Sequence, residues 1–196
     1  MQGIILLFLV ILVNSCAINE NLPSLNQVDR AYRFSQLQNL NHWQLEGKIG
    51  YRDSKKGGSA WISWHQQGNN FEINLSGPFG TRSTTIKGNQ DTIKLKDEKY
   101  QLFTANESSV YVKKTYQLDF PIEHLRFWIK GLPSLSADEI IYNYNNDGTL
   151  NRLEQSGWAL EFLDYQNIEE FRLPNKIKGQ KDVYKFTLKI KKWLIN

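Results

Sequence analysis

Between Trp43 and Tyr51 apolar and polar residues alternate. Trp43, Leu45, Gly47, Ile49 and Tyr51 fall on one phase, and Gln44, Glu46, Lys48 and Gly50 on the other. A period of two puts one set on a covered face and the other in water, which predicts a half-buried β-strand. Asp53 to Gly57 turns the chain into a second stretch, Ser59–Gln66, and Gly68-Asn69-Asn70 turns it again into Phe71, Ile73 and Leu75. Further short strands are predicted at Thr81–Lys87, Thr92–Lys96 and Lys99–Thr104, separated by turns at Gly88-Asn89-Gln90 and Asp97-Glu98. Links this short cannot make parallel crossovers, so the strands form an antiparallel meander. The pattern resumes at Glu139–Tyr144, Leu150–Gln155, Trp158–Tyr165, Phe171–Ile177 and Tyr184–Trp193. Asn146-Asp147-Gly148 and Ser156-Gly157 are hairpin signals within it.

Three segments have helical rather than strand character. Ser24 and Gln27 have capping-box spacing at the start of Ser24–Asn41, where Leu25, Val28 and Tyr32 share one face. Thr104 and Glu107 repeat that spacing before a segment reaching about Tyr116. Pro121 opens a third helix with an apolar stripe of Ile122, Leu125, Trp128 and Ile129, and Gly131 and Pro133 end it. The fold class is mainly β (α+β): about eleven strands in a strongly curved or barrel-like sheet, with helices against one side.

The first residues follow a different logic. Ile4 to Val13 is a nearly unbroken apolar run, although Met1-Gln2-Gly3 before it carries no Lys or Arg. Such a run is too short for a helix across a hydrocarbon core of ~30 Å but has the length of a signal-peptide core. Cys16 is the lone cysteine, so in an exported protein it has no internal disulfide partner. Val13-Asn14-Ser15-Cys16 resembles a lipobox, at which the thiol is diacylated and becomes the first residue of the mature protein. The other reading of Cys16 is a buried or free thiol behind an ordinary signal peptide. On the lipobox reading residues 1–15 are the leader, 16–23 a lipidated tether and 24–196 a single domain. Ala17 stands where an Asp would mark retention in the inner membrane, which points to the outer one.

Charge and chemistry narrow the function. Lys+Arg 24 against Asp+Glu 20 is a slight basic surplus spread along the chain, compatible with anionic lipid or a protein partner but without the density expected of nucleic-acid binding. Lys185, Lys189, Lys191 and Lys192 alternate with apolar residues and form the wet face of the last strand. His42, His65 and His124 show no zinc-site spacing, and no phosphate loop or hydrolase elbow is present. The chain is therefore expected to be a non-enzyme, with no metal and no cofactor. It carries six tryptophans, and an inner face built by about eleven strands is too wide to fill with its own side chains. In Ser76-Gly77-Pro78-Phe79-Gly80 the Gly and Pro residues force a turn. Phe79 at its tip either meets an apolar partner outside the molecule or folds back onto the sheet.

These residues together resemble the LolB family, outer-membrane receptors of the lipoprotein localisation pathway. The resemblance rests on the lipobox, Leu45-x-Gly47, Trp64-x-Gln66, Gly77-Pro78-Phe79-Gly80, Arg126-x-Trp128-Ile129-x-Gly131-Leu132-Pro133 and the final Trp193-containing strand. It covers Asn39-Leu40-Asn41 to Trp193-Leu194-Ile195. The family implies an unclosed antiparallel barrel with a helical lid, shared with the soluble carrier LolA, and Cys16 separates receptor from carrier. It implies a membrane-insertion turn at Pro78, Phe79 and Gly80, where the family commonly has leucine in place of Phe79. Candidate contacts for acyl chains are Trp64, Trp128 and Trp158, followed by Trp43 and Trp193. The expected partners are a LolA-type periplasmic carrier, acylated lipoproteins as cargo and outer-membrane lipid, with the receptor a lipid-anchored monomer on the periplasmic face. A periplasmic lipoprotein that binds free fatty acid or another small lipid would share the cavity without needing an exposed Phe79. A purely structural envelope lipoprotein would need neither, and an esterase is the remaining enzyme reading.

Overall fold

The computed structural model describes residues 25–77, 83–89, 92–96, 122–135 and 140–195. Helix α1 (Leu25–Asn39) leads into β1 (His42–Arg52), β2 (Gly57–Gln67), β3 (Asn70–Ser76), β4 (Thr84–Gly88) and β5 (Ile93–Lys96). After α2 (Ile122–Trp128) come β6 (Ile140–Tyr144), β7 (Leu150–Gln155), β8 (Trp158–Ile168), β9 (Phe171–Lys181) and β10 (Tyr184–Ile195). All ten strands belong to one antiparallel sheet in the order β5-β4-β3-β2-β1-β10-β9-β8-β7-β6. Two meanders are thus joined along a central seam, β1 against β10, running from Trp43↔Ile195 to Arg52↔Lys185. Among the described strands β5 and β6 are the two ends, and the sheet is unclosed. The strand expected at Lys99–Thr104 and the helix expected from Thr104 lie outside the described residues.

Alternation in sequence becomes alternation in burial. Trp43, Leu45, Gly47 and Ile49 of β1 are buried, whereas His42, Glu46, Lys48 and Arg52 face water. One irregularity shapes the seam. Glu46 pairs with Lys192 and Gly47 with Ile190, so Lys191 is an extra residue, a β-bulge. The bulge moves the buried phase of β10 from Phe186, Leu188 and Ile190 to Trp193, and Lys191 and Lys192 are both exposed beside it. Gly47 sits where the bulged strand comes close: a Cβ there would lie 2.3 Å from the Lys189 carbonyl oxygen. That contact accounts physically for the glycine of Leu45-x-Gly47.

Three sequence readings are corrected. β8 continues past Tyr165 to Ile168, although the alternation stops at Asp164, which adopts φ 55°. Main-chain pairing resumes at Tyr165↔Pro174 and carries the strand on. β9 likewise runs beyond Ile177 to Lys181, because β10 pairs with it as far as Tyr184↔Lys181. The docked face of α1 is not the one holding Tyr32, which is 65% exposed. Leu37 and Leu40 are buried instead, with Phe34 packed against the core. Arg30 lies 5.4 Å from the Tyr144 ring centroid and Arg33 lies 5.8 Å from that of Tyr165. The helix therefore docks through arginine stems and its last turn, a pattern a simple apolar count does not see.

The segment after α2 holds the cover in place. Gly131, at φ 75°, donates its N–H to the Trp128 carbonyl at 2.8 Å, and Leu132 donates to Phe127 at 3.1 Å. This is a Schellman ending, which requires the left-handed residue that glycine supplies. It turns Lys130 inward, where its ammonium donates to the carbonyls of Leu37 at 2.7 Å and Leu40 at 3.1 Å. A cation thus sits on the unsatisfied C-terminal carbonyls of α1, where the helix dipole favours it. Burial, with Arg126 adding to it, pushes the Lys130 ammonium down to about 8. Below that pH the folded and unfolded chains both carry the proton, and the folded state bears the full cost of a buried charge. Between 8 and the ordinary 10.5 only the unfolded chain keeps it, so stability rises with pH. Tyr165, raised by burial, acts in the opposite direction above 10 because only the unfolded hydroxyl ionises there. Urea unfolding is expected to show a gain of about 2 kcal/mol between pH 8 and 10. Lys130→Met is expected to abolish that slope while leaving the decline above pH 10.

Candidate functional site

The five tryptophans proposed from sequence all lie in one apolar core, each no more than 5% exposed. They form two groups. On the β2–β1–β10 side, register puts Leu45 opposite both Trp64 and Trp193, with Trp43 beside them on the same face. The Trp43 ring lies 5.5 Å from Trp64, tilted by 47°, and 5.5 Å from Trp193, edge-on at 67°. Phe71 of β3 extends this cluster at 6.1 Å from Trp64. Tilted and edge-on contacts are the favoured aromatic geometries. The second group belongs to the other meander. Trp158 meets Phe186 edge-on at 5.4 Å, and Trp128 on the covering segment stacks on His124 at 5.5 Å.

The indole N–H groups have different fates. Trp64 Nε1 donates to Gln66 Oε1 at 3.1 Å, and Gln66 Nε2 donates to the Gly68 carbonyl at 2.8 Å. Trp64-x-Gln66 is therefore a unit in which a polar residue on the apolar phase satisfies the indole two positions away. Trp193 Nε1 is buried and has no hydrogen-bond partner among the described residues. Trp128 Nε1 donates to Gln155 Oε1 at 2.8 Å.

Gln155 was not singled out in the sequence, yet it fastens the cover to the sheet. Its Oε1 also accepts from the Ser134 amide at 2.9 Å, and its Nε2 donates to the Ser134 carbonyl at 2.6 Å. His124 bridges the same two elements, with Nδ1 3.0 Å from Ser134 Oγ and Nε2 3.1 Å from Ser156 Oγ. The signal was present: Leu153 and Gln155 share the inward phase of β7, and a glutamine in that position must find buried partners. Lys130 carried a similar signal inside the apolar run Trp128 to Leu132.

On the far side of α1 a charged seam does comparable work. Arg33 donates to the Arg172 carbonyl, and Tyr165 Oη donates to the Leu150 carbonyl at 2.8 Å. Arg172 pairs with Asp147 at 3.0 Å. Burial lowers the Arg33 guanidinium from its ordinary range and raises the Tyr165 hydroxyl. Gly131 belongs to this region too, because a Cβ there would lie 2.7 Å from Tyr165 Oη.

Elsewhere, a groove of about 360 Å³ along β2–β5 is lined by His65, Gln67, Glu72, Lys87 and Lys94 as well as Phe71. Its walls mix charged and apolar groups. Among the described residues no group of three or more His, Cys, Asp or Glu is placed to hold a metal ion. Of the insertion turn, Gly77 is described; Pro78, Phe79 and Gly80 lie outside the described residues, as does Cys16.

The family profile of "Outer membrane lipoprotein LolB" matches residues 41–193. The outer-membrane lipoprotein LolB of Stutzerimonas stutzeri is 34% identical over 159 residues, covering 81% of this chain and 77% of that relative. That of Francisella tularensis subsp. tularensis (strain WY96-3418) is 30% identical over 196 residues, covering 98% and 93%. Among solved structures, a LolA superfamily protein from Nitrosomonas europaea has a TM-score of 0.59 at 12% identity, covering 86% of this chain and 93% of its own. A DUF1329 family protein from Desulfovibrio piger has a TM-score of 0.58 at 10% identity, covering 86% and 91%. These two likenesses concern the fold. The matched span runs from the start of β1 to Trp193, and it includes the bulge glycine, the Trp64–Gln66 pair and the Schellman turn; the chain belongs to the LolB family of outer-membrane lipoproteins.

Proposed function

We propose that this protein accepts acylated lipoproteins from a LolA-type periplasmic carrier and inserts them into the inner leaflet of the outer membrane. Within the family's role in outer-membrane lipoprotein localisation, one observation favours this reading. The aromatic inner face of an unclosed sheet is covered by a segment that packs on it through Leu125, Trp128, Ile129 and Leu132 and is tied down by a few buried polar contacts: Gln155 with Trp128 and Ser134, His124 with Ser156, and Lys130 with the carbonyls of Leu37 and Leu40. Buried polar contacts are directional, and once the cover shifts, water takes their place. Acyl chains would then take the place of the cover on Trp43, Trp64, Trp158 and Trp193, with Trp128 meeting them from the cover itself. Each methylene buried is worth ~0.8 kcal/mol, so a modest difference in contact area between carrier and receptor drives transfer without nucleotide.

In this scheme residues 1–15 are a leader and diacylated Cys16, on its short tether, anchors a monomer at the periplasmic face. Phe79 at the tip of the 77–80 turn enters the leaflet and lowers the barrier to release. No step makes or breaks a covalent bond, so the role is transport and not catalysis.

Two measurements test the two halves. Phe79→Glu is expected to take radiolabelled lipoprotein from purified carrier at the normal rate yet release at least tenfold less into liposomes, an acidic side chain at the tip opposing entry by ~2 kcal/mol or more. Normal delivery by that variant would remove the role assigned to the turn. For acceptance, a photoreactive benzophenone residue replacing Trp64 is expected to cross-link to labelled cargo acyl chains, whereas the same residue replacing the outward Trp61 is not. Equal labelling at both positions, or none at 64, would show that the inner face is not the acyl site.

A further inference from the structure

The opposite face of the sheet carries an arrangement that the transfer scheme does not use. Trp61 of β2 is 44% exposed on the outer face. Lys191 Nζ lies 4.3 Å from its ring centroid and Lys48 Nζ 5.8 Å. Lys48 stands opposite Trp61 on one side and opposite Lys189 on the other. Lys191 is there because it is the bulge residue, and exposed Lys192 follows it. The carboxylate on this part of the face is Glu46, opposite Lys192. Two other lysines of the outer face are matched, Lys178 with Glu161 at 3.2 Å and Lys87 with Glu72 at 2.7 Å. Here two ammonium groups lie over one indole, and Lys189 and Lys192 stand near them in register with Lys48 and Glu46, a concentration of positive charge that favours an anionic partner.

We propose that this patch is a second membrane contact, in which Trp61 sits among anionic phospholipid headgroups while Lys48, Lys189, Lys191 and Lys192 reach their phosphates. The proposal rests on the insertion reading above, because position selects lipid over other anionic partners. Trp61 is paired in register with Ser76, the last residue of β3, so it stands where the chain leaves the sheet for the 77–80 turn. A turn entering the leaflet brings this end of the outer face down to the headgroups. Tryptophan prefers the boundary between hydrocarbon and water, and lysine stems lie along an apolar surface while their ammonium groups meet phosphate. With the outer face against the membrane, the aromatic inner face points away from it, toward an arriving carrier.

The acylated full-length protein, anchored in vesicles, allows a test of orientation rather than mere attachment. The vesicles are phosphatidylcholine alone or mixed with phosphatidylglycerol, with acyl chains brominated near the headgroup. The Trp61 contribution is the quenching lost in Trp61→Phe. That contribution is expected in the mixed vesicles, and to disappear at high salt. Charge reversal in Lys48→Glu plus Lys191→Glu is expected to lower the docked-to-free ratio about fivefold per lysine lost, circular dichroism confirming an unchanged fold. Quenching that is equal in both lipids, absent in both, or unaffected by the double reversal would overturn the proposal. So would a Trp61 response that appears only when purified carrier is added, since the patch would then be a protein-docking surface. Lipoprotein delivery measured in the same vesicles separates the two readings. Delivery without Trp61 quenching removes only the second contact, and quenching without delivery removes the insertion reading.

Discussion

The molecule is organised by the ladder between its first and last strands. Without β1 against β10 there would be two separate meanders, neither with enough inner surface to bury a cluster of tryptophans. With it, Leu45 stands between Trp64 and Trp193, and the aromatic group joins the first two strands to the last one, far away in sequence. The bulge at Lys191 is part of the same design. It shifts the buried phase so that Trp193, and not its neighbour, faces inward, and the close approach it creates excludes any side chain at position 47.

Over this inner face the cover shares the core's apolar packing through Leu125, Trp128, Ile129 and Leu132, and adds polar ties to it. Core tryptophans hold by area and shape; cutting one to alanine costs about 3–5 kcal/mol. The cover is held by a lysine on two carbonyls, by a glutamine making three hydrogen bonds and by a histidine between two hydroxyls. Fully satisfied, such contacts specify one closed arrangement; partly broken, they leave buried polar groups that water relieves.

Much of the sheet could be read from the chain because alternation, turn residues and short links are local and agree with one another. All five candidate tryptophans lie on covered positions, four of them on strands and Trp128 on the apolar stripe of a helix. Less legible was anything set by the path of the backbone in space. The double lysine at 191–192 marks the bulge, yet as a pattern it looks like a frayed wet face. Tyr32 had the spacing of a helix stripe, but the docked face was chosen by Tyr144 and Tyr165 on strands more than a hundred residues away, which accept arginines. Gln66, Lys130 and Gln155 were polar residues on apolar phases. That conflict can be recognised in a sequence, although the partner that resolves it cannot. The division of the tryptophans into two groups likewise depends on which strands meet at the seam.

That β5 and β6 are the two ends among the described strands has a consequence of its own. In a closed cylinder the strand number and stagger fix the girth, and widening it means breaking a complete row of ladder bonds. Here β5 and β6 are not neighbours, so the curl of the sheet is set by twist and by whatever fills its concave side. Its radius is then a soft variable. An interior of that kind takes the dimensions of its contents, so it needs no pocket cut to any one shape.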